Sequence, residues 1–384
     1  MSEAFRWQIK LDPASAVPVW SQIVNGICNC ISRFRPVEGT VVVSERQLAS
    51  ELGIHRNTVR QAYADLRSKN IIINRNSRSL AIGPGAKALF RKSFPTLTVV
   101  LQYPLSRQLK HFSVNGLDVF SGIVDRAAEL GISVNVAALP DRNCDEHEIE
   151  NWLDNHVMRS IGVINFGPRN SRCVEPVFER LIQLEGVPQV LVGAVCRERP
   201  MSSVCPDCEP GFRAALEYIA RKGHRHLGIF SQHIPGLKFF NSAFYRGGIL
   251  EKLSGEYGIR CTRFSFAFVQ GESMYDELLP HVEKMLAMKD PPTVVWGQND
   301  HLTAIICRIF SGKGVRVPED ISAFGFDNDT GGEIASVNYS RNALGAELVN
   351  TIWALYNNPP SAEPLLKSVN TEFFINKTIQ EVKQ

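Results

Sequence analysis

Apolar residues return every fourth position through Val19, Ile23, Ile27 and Ile31, with Trp20 and Val24 alongside. That single stripe predicts a helix over 17–34. Pro36 and Gly39 in the stretch RPVEGT end it. Ser44-Glu45-Arg46-Gln47 has capping-box spacing and predicts a second helix running to Leu52, with Gly53 making the turn. A third helix starts near His55 to Asn57, and Val59, Ala62, Tyr63 and Leu66 form its apolar face. After Asn70 the pattern becomes β-branched with period two, IIINRNSRSLAIG. It predicts strands at 71–74 and 79–82 around a basic tip.

From Leu97 onward short apolar runs alternate with helical stretches. Strands are expected at 97–102, 133–138, 161–165, 188–192, 227–230, 293–296 and 321–325. Helices are expected between them, as at 114–130, 211–222, 243–257, 275–288 and 301–313. Such alternation implies parallel, doubly wound sheets covered by helices on both faces, and the length suits two lobes. The stretch GPGAKALFRKSFP mixes glycine, proline and basic residues without period, which suits a linker. The expected organisation is a head at 1–83, a linker at 84–96 and a two-lobed α/β body at 97–384.

Composition sharpens this picture in two ways. With 44% hydrophobic and 21% charged residues, the chain has a soluble globular make-up. No apolar run nears the roughly 20 residues of a membrane span. The start, MSEAFRWQIKLDPAS, lacks signal-peptide regions, so no membrane role and a cytoplasmic location are expected. Nine cysteines at irregular spacing read as reduced thiols. Only Cys205-Pro206-Asp207-Cys208 has a motif spacing, and it lacks the second ligand pair zinc would need. No metal or cofactor is assigned.

The second change comes from charge. The net charge of +3 is unevenly spread: residues 1–85 carry 11 Lys and Arg against 6 acids. A basic head on a faintly acidic body suggests that the head meets a polyanion. Arg56 and Arg60, four apart, share a helix face, with Asn57 and Thr58 in the first turn. Arginine can pair with guanine, asparagine with adenine, and a threonine methyl can meet the thymine methyl. Arg46 on the preceding helix could reach a phosphate or base edge, and Arg75 and Arg78 lie on the hairpin. The same arginines would also serve as a solvated face.

No GxGxxG, P-loop, GxSxG or HExxH motif occurs, so no catalytic residues are assigned. The two histidines of GHRHLG (223–228) lack a third ligand nearby and read as structural.

Residues 18–83 resemble the winged helix-turn-helix of the GntR family. The resemblance rests on PVEG, SERQLASELGIHRNTVRQAYADL and IIINRNSRSLAIG. It implies DNA contacts by Arg46, Arg56 and Arg60. Departures are His55, where the family has serine or threonine, Val43 in place of proline, and a wing tip, Asn76 to Ser79, without glycine. Wing contacts are expected through Arg75 and Arg78.

Residues 97–378 resemble the effector domain of the LacI/GalR family, with its periplasmic-binding-protein-like fold. YIARKGHRHLGIF (218–230), PPTVVWGQND (291–300) and GVRVPEDISAFGFDN (314–328) carry the likeness. It implies ligand contacts by Asp327 and Asn299. The family's pocket arginine falls at Tyr245 when aligned on Gly248-Ile249, and the neighbouring Arg246 is named in its stead. Trp296, Phe239 and Phe240 could stack on a sugar or serve equally in core packing. The two resemblances together imply a homodimeric repressor of double-stranded operator DNA, controlled by a small molecule, with a sugar as the expected class, and no enzymatic activity. Two rivals are a GntR head on a pyridoxal-phosphate aminotransferase-like body, whose lysine context is absent, and a sugar receptor without a DNA role.

Overall fold

The computed structural model describes residues 4–9, 11–12, 17–76, 79–87, 95–105, 114–141, 143–166, 176–184, 186–196, 200–233, 239–267, 273–357 and 363–382. The chain divides into two compact units, 1–96 with 153–160, and the remainder.

In the first unit, α1 (Val19–Phe34), β1 (Val41–Val42), α2 (Glu45–Leu52), α3 (Arg56–Ser68), β2 (Ile72–Asn76) and β3 (Ser79–Ile82) follow in order. Three members of the α1 stripe are buried: Ile23, Ile27 and Ile31 have no exposure and pack with Val59, Ala62, Tyr63 and Leu66 of α3, while Val19 at the start of the helix is exposed. Ser44 caps α2, its Oγ accepting the Gln47 N–H at 3.2 Å. Gly53 ends that helix at φ +63°, a left-handed conformation that glycine adopts without Cβ strain. α3 is capped by His55, whose Nδ1 accepts the Asn57 N–H at 3.3 Å. β1 and β2 flank β3 in an antiparallel sheet. The two-residue β1 is too short to leave a pattern in the sequence.

The second unit contains β4 (Thr96–Leu101), α4 (Val114–Glu129), β5 (Ser133–Ala138), α5 (Glu146–His156), β6 (Gly162–Asn165), α6 (Pro176–Ile182), β7 (Gln189–Val192), β8 (Ala194–Cys196), β9 (Ser202–Asp207) and α7 (Cys208–Arg221). The chain continues through β10 (His226–Gln232), β11 (Phe239–Asn241), α8 (Ser242–Ser254), β12 (Arg260–Phe266), α9 (Met274–Leu286), β13 (Val294–Gly297), α10 (Asp300–Gly312), β14 (Ser322–Phe326), β15 (Ala335–Tyr339), α11 (Arg341–Asn357) and β16 (Leu366–Phe374). The outer residues of β4 and α5 fall with the first unit by compactness.

One sheet runs β12-β10-β13-β14-β15-β16-β9-β7-β6-β4-β5. β10, β12, β13, β14 and β15 pair in parallel, as do β4, β6, β7 and β9. β16 joins the halves, antiparallel to β15 and parallel to β9. This is the expected two-lobed, doubly wound α/β architecture, periplasmic-binding-protein-like in form. Separate cores fill the lobes. One contains Phe212, Trp296, Phe324 and Phe326, and another Val99, Ile123, Ile164 and Leu348.

Candidate functional site

Two surfaces carry chemistry, one in each unit. In the first, Arg46 of α2 and Arg56, Asn57 and Arg60 of α3 are exposed, Thr58 is half-buried and Arg75 at the end of β2 is exposed. Arg78 lies outside the described residues. The arginine pair faces out because Val59, Ala62, Tyr63 and Leu66 take the inner face of the same helix. One residue that the sequence reading passed over meets them here. Glu45 lies within 4 Å of guanidinium nitrogens of Arg56, Arg60 and Arg67. Its only sequence signal was its place in the capping box.

In the second unit the loop after β14 forms the floor of a polar site. Asp327 and Asn328 sit at φ +94° and +52°, a region that Asp and Asn tolerate better than other side chains. The turn is held by Asp327 N–H donating to Val337 O at 2.8 Å and Asn328 N–H to Ser336 Oγ at 3.0 Å. Arg246 on α8 is buried, and its Nη1 lies 3.3 Å from both Asp327 carboxylate oxygens. Its guanidinium stacks 3.6 Å from the Phe326 ring centroid. A bifurcated, charge-assisted contact from Nη1 to both carboxylate oxygens and a cation–π contact together hold this guanidinium.

Arg341, opening α11, comes from the other side. It donates to the Asp327 carbonyl and to Asn338 Oδ1, and lies 3.6 Å from Asp327 Oδ1 and 3.7 Å from Asp329 Oδ1. Asp300 completes the network, accepting from Ser336 Oγ at 2.8 Å and from Asp329 N–H at 2.9 Å. Burial raises the Asp300 carboxyl to about 7, and burial with the Asp327 charge raises Asp329 to about 6. Neither Arg341 nor Asp300 had a sequence signal of its own. Arg341 acquires its partners only through the turn between β15 and α11.

The structure thus brings Asp327 and Arg246 together, places Trp296 in the core, and has Asn299 capping a helix next to Asp300. Trp296 has no exposure and packs edge-on against Phe212, centroids 5.6 Å apart. It is a core residue, because β13 is covered on both faces. Asn299 spends its Oδ1 as the cap of α10, accepting the Leu302 N–H at 2.8 Å. Tyr245 is half-buried beside Cys205, with its hydroxyl proton held more tightly by burial. Phe239 and Phe240 lie on β11, paired with β8, and their side chains are outside the described residues.

The remaining motifs take structural places. His224 bridges Thr293 Oγ1 and the Gln380 carbonyl, and His226 meets Thr262 Oγ1. Cys205 and Cys208 are unbridged, and burial raises both thiols. Among the described residues no group of three or more His, Cys, Asp or Glu could hold a metal ion, and no helix is long and apolar enough to cross a membrane.

Fold and site together define a class: a two-lobed periplasmic-binding-protein-like body with an acid–arginine site at the ends of parallel strands. Residues 216–375 match the model of the periplasmic binding protein-like domain. Among curated proteins, the chain is 25% identical over 242 residues to the probable HTH-type transcriptional repressor ExuR of Bacillus subtilis (strain 168), covering 61% of this chain and 69% of that one. It is 22% identical over 320 residues to the arabinose metabolism transcriptional repressor of Geobacillus stearothermophilus, covering 82% and 83%. Its match to the transcriptional repressor PurR of Photobacterium profundum is 29% identical but covers only 34% of this chain and 38% of that one.

Solved structures share the fold. A LacI-type regulator from Bacillus cereus subsp. cytotoxis aligns with a TM-score of 0.57 at 19% identity, over 76% of this chain and all of that one. A transcriptional regulator CelR–cellobiose complex aligns with a TM-score of 0.54 at 17% identity, over 88% and 99%. The likeness is to transcriptional regulators rather than to enzymes.

Proposed function

We propose that this chain is a ligand-controlled transcriptional repressor. Residues 1–83 act as a GntR-type winged helix-turn-helix head, 84–96 as a linker and 97–384 as the effector-binding and dimerising body. The head binds double-stranded operator DNA as a homodimer, so its site is pseudo-palindromic. Arg56, Asn57, Thr58 and Arg60 read base edges from the first turns of α3. Arg46 supports them from α2, and Arg75 and Arg78 approach from the hairpin.

The observation that carries this reading is the exposed arginine pair at the start of α3, on a head joined to a body of regulator fold. The effector is a sugar, seated on Asp327. A carboxylate can accept from two neighbouring hydroxyls at once, and the strand ends of α/β sheets are where such ligands sit. Two similarities support that class: a relative named for arabinose metabolism and a solved regulator complex containing cellobiose. The effector acts by binding the two conformations of the body unequally, a coupling commonly worth about 1–3 kcal/mol.

The test begins with selection of duplexes from a randomised pool by the purified protein. Neutral mono- and disaccharides are then titrated against the bound duplex, read by fluorescence anisotropy. A palindromic consensus whose binding one sugar shifts is the expected result. No enriched sequence, or an enriched sequence that no sugar affects, would reject the first or the second half of the reading respectively.

A further inference from the structure

We propose that Glu45 is a positioning residue that confers sequence discrimination on the head by holding Arg56 and Arg60 in place. The inference rests on the operator reading above. Glu45 opens α2, and its side chain is only 14% exposed although three cations of the next helix converge on it. Arg67 Nη2 donates to Oε1 at 3.2 Å, while Arg60 Nε and Arg56 Nη2 lie 3.7 and 3.8 Å from Oε2.

The two kinds of contact differ physically. The Arg67 contact is a hydrogen bond and fixes the carboxylate. The other two are longer than a hydrogen bond, so charge alone draws those guanidiniums inward. They stay about half exposed, at 54% and 55%, and available to a ligand.

One anion among three cations leaves a local surplus of positive charge for a phosphate-lined groove. It also opposes the spread of Arg56 and Arg60 towards whichever phosphate is nearest. Phosphate contacts carry affinity without sequence information, and base-edge contacts carry the information. A carboxylate at this position therefore weakens binding to any DNA and prearranges the arginines for the right one. Repulsion of wrong partners and reduced ordering cost both raise specificity.

Glu45→Gln separates these effects, because its amide oxygen still accepts from Arg67 while the charge is gone. Affinity is measured by anisotropy from low to moderate salt, on the duplex selected by the wild type and on a scrambled duplex of equal length. The variant is expected to bind the scrambled duplex more tightly, and its slope of log K against log salt should steepen by up to about one. The ratio of selected to scrambled affinity should fall roughly tenfold, the loss of about one good base contact. Arg67→Gln, which releases the carboxylate from its anchor, should lower the same ratio without removing a base-reading arginine.

An unchanged ratio and salt slope in Glu45→Gln would overturn the role. So would equal losses on both duplexes together with a lowered melting temperature, which would make Glu45 merely a folding residue. A wild type that selects no duplex would instead reject the operator reading, and this inference with it.

Discussion

Asp300→Asn tests the electrostatics of the body most directly. Asp300 has no exposure, and burial is the main reason that its carboxyl stands at about 7 instead of 3.8. Its hydrogen bonds from Ser336 and Asp329 pull it down, and the Asp327 and Asp329 charges push it up. In the unfolded chain the group ionises near ~3.9. Between those values the folded protein holds a proton that the unfolded chain has released. The contribution of Asp300 to stability is therefore full below the lower value and is lost as pH rises through about 7.

At about 1.4 kcal/mol per pH unit, the loss amounts to roughly 3 kcal/mol between pH 5 and pH 8. Asparagine carries no charge to desolvate. Its Oδ1 can accept from Asp329 N–H and its Nδ2 donate to Ser336 Oγ, whose proton can turn to the Val337 carbonyl at 3.3 Å. The exchanged hydrogen bond costs about 1 kcal/mol at any pH. The variant should then lie within about 1 kcal/mol of the wild type at pH 5 and exceed it by about 3 kcal/mol at pH 8. Urea unfolding of both proteins at several pH values gives the difference, in which the titrations of His224, His226 and the other carboxyls largely cancel. A difference that does not change with pH, or that shrinks as pH rises, would refute the burial of a titrating carboxyl at this position.

The other expectations are more local. Tyr63→Phe deletes a hydroxyl that accepts from Trp7 Nε1 at 2.8 Å and donates to the Val43 carbonyl at 2.9 Å inside the head core. Two buried groups lose their partner, so the variant should lose about 1–3 kcal/mol of head stability in a denaturant melt, and a change within error would show that water replaces the hydroxyl. Arg56→Ala and Arg60→Ala should each cost about 1–3 kcal/mol on the selected duplex, and unchanged affinity in both would remove α3 from the interface. Asp327→Ala should abolish the effector's effect on DNA binding while leaving basal duplex affinity intact. It should also lower the stability of the body by a few kcal/mol, because the buried Arg246 loses its counter-ion. Loss of both binding activities together would mean misfolding and would count against a ligand-binding role.

Much of the architecture was legible in the residue pattern. The α1 stripe, the Ser44 cap and the Gly53 turn are local signals, and each element they predict lies within two residues of its expected bounds. The seven strands expected in the body are similarly placed, since most of their apolar runs are buried on both faces, as in β4, β6, β13 and β14. What stayed hidden has physical reasons. β16 alternates weakly and is largely exposed, with only Thr371 fully buried, so Leu366–Phe374 reads as irregular. β9 contains Pro206, a residue that normally argues against a strand inside a sheet. α11 buries one face, with Leu344, Gly345, Leu348, Val349 and Ile352, but polar Arg341 and Thr351 on that face and apolar Trp353 off it blur the stripe in the sequence. Within the site, Asp327 was legible through its motif. Arg341, Asp300 and Glu45 were not, because their partners are remote in sequence or lie on the next helix. Trp296 could be read as a stacking platform because the sequence does not show that both faces of β13 are closed.

The resemblance implies a pocket arginine where this chain has Tyr245, with Arg246 one step later, and that difference bears on the proposed ligand. A single step along a helix turns a side chain by about 100°. Tyr245, at the family's arginine position, is half-buried beside Cys205, whereas Arg246 reaches Asp327 from within the core and leans on Phe326. Its charge is thus already matched by Asp327, and Arg341 approaches the same carboxylate and Asp329 from the β15–α11 turn. An acidic ligand would have to compete with two aspartates for these guanidiniums, and would place a further negative charge beside carboxyls already raised by burial and mutual repulsion. A neutral polyol faces no such competition. It needs only to donate hydroxyls to the exposed edge of Asp327, leaving both ion pairs intact. The charge arrangement therefore favours a neutral sugar over a sugar acid or phosphate, and the saccharide titration should include all three to test that order.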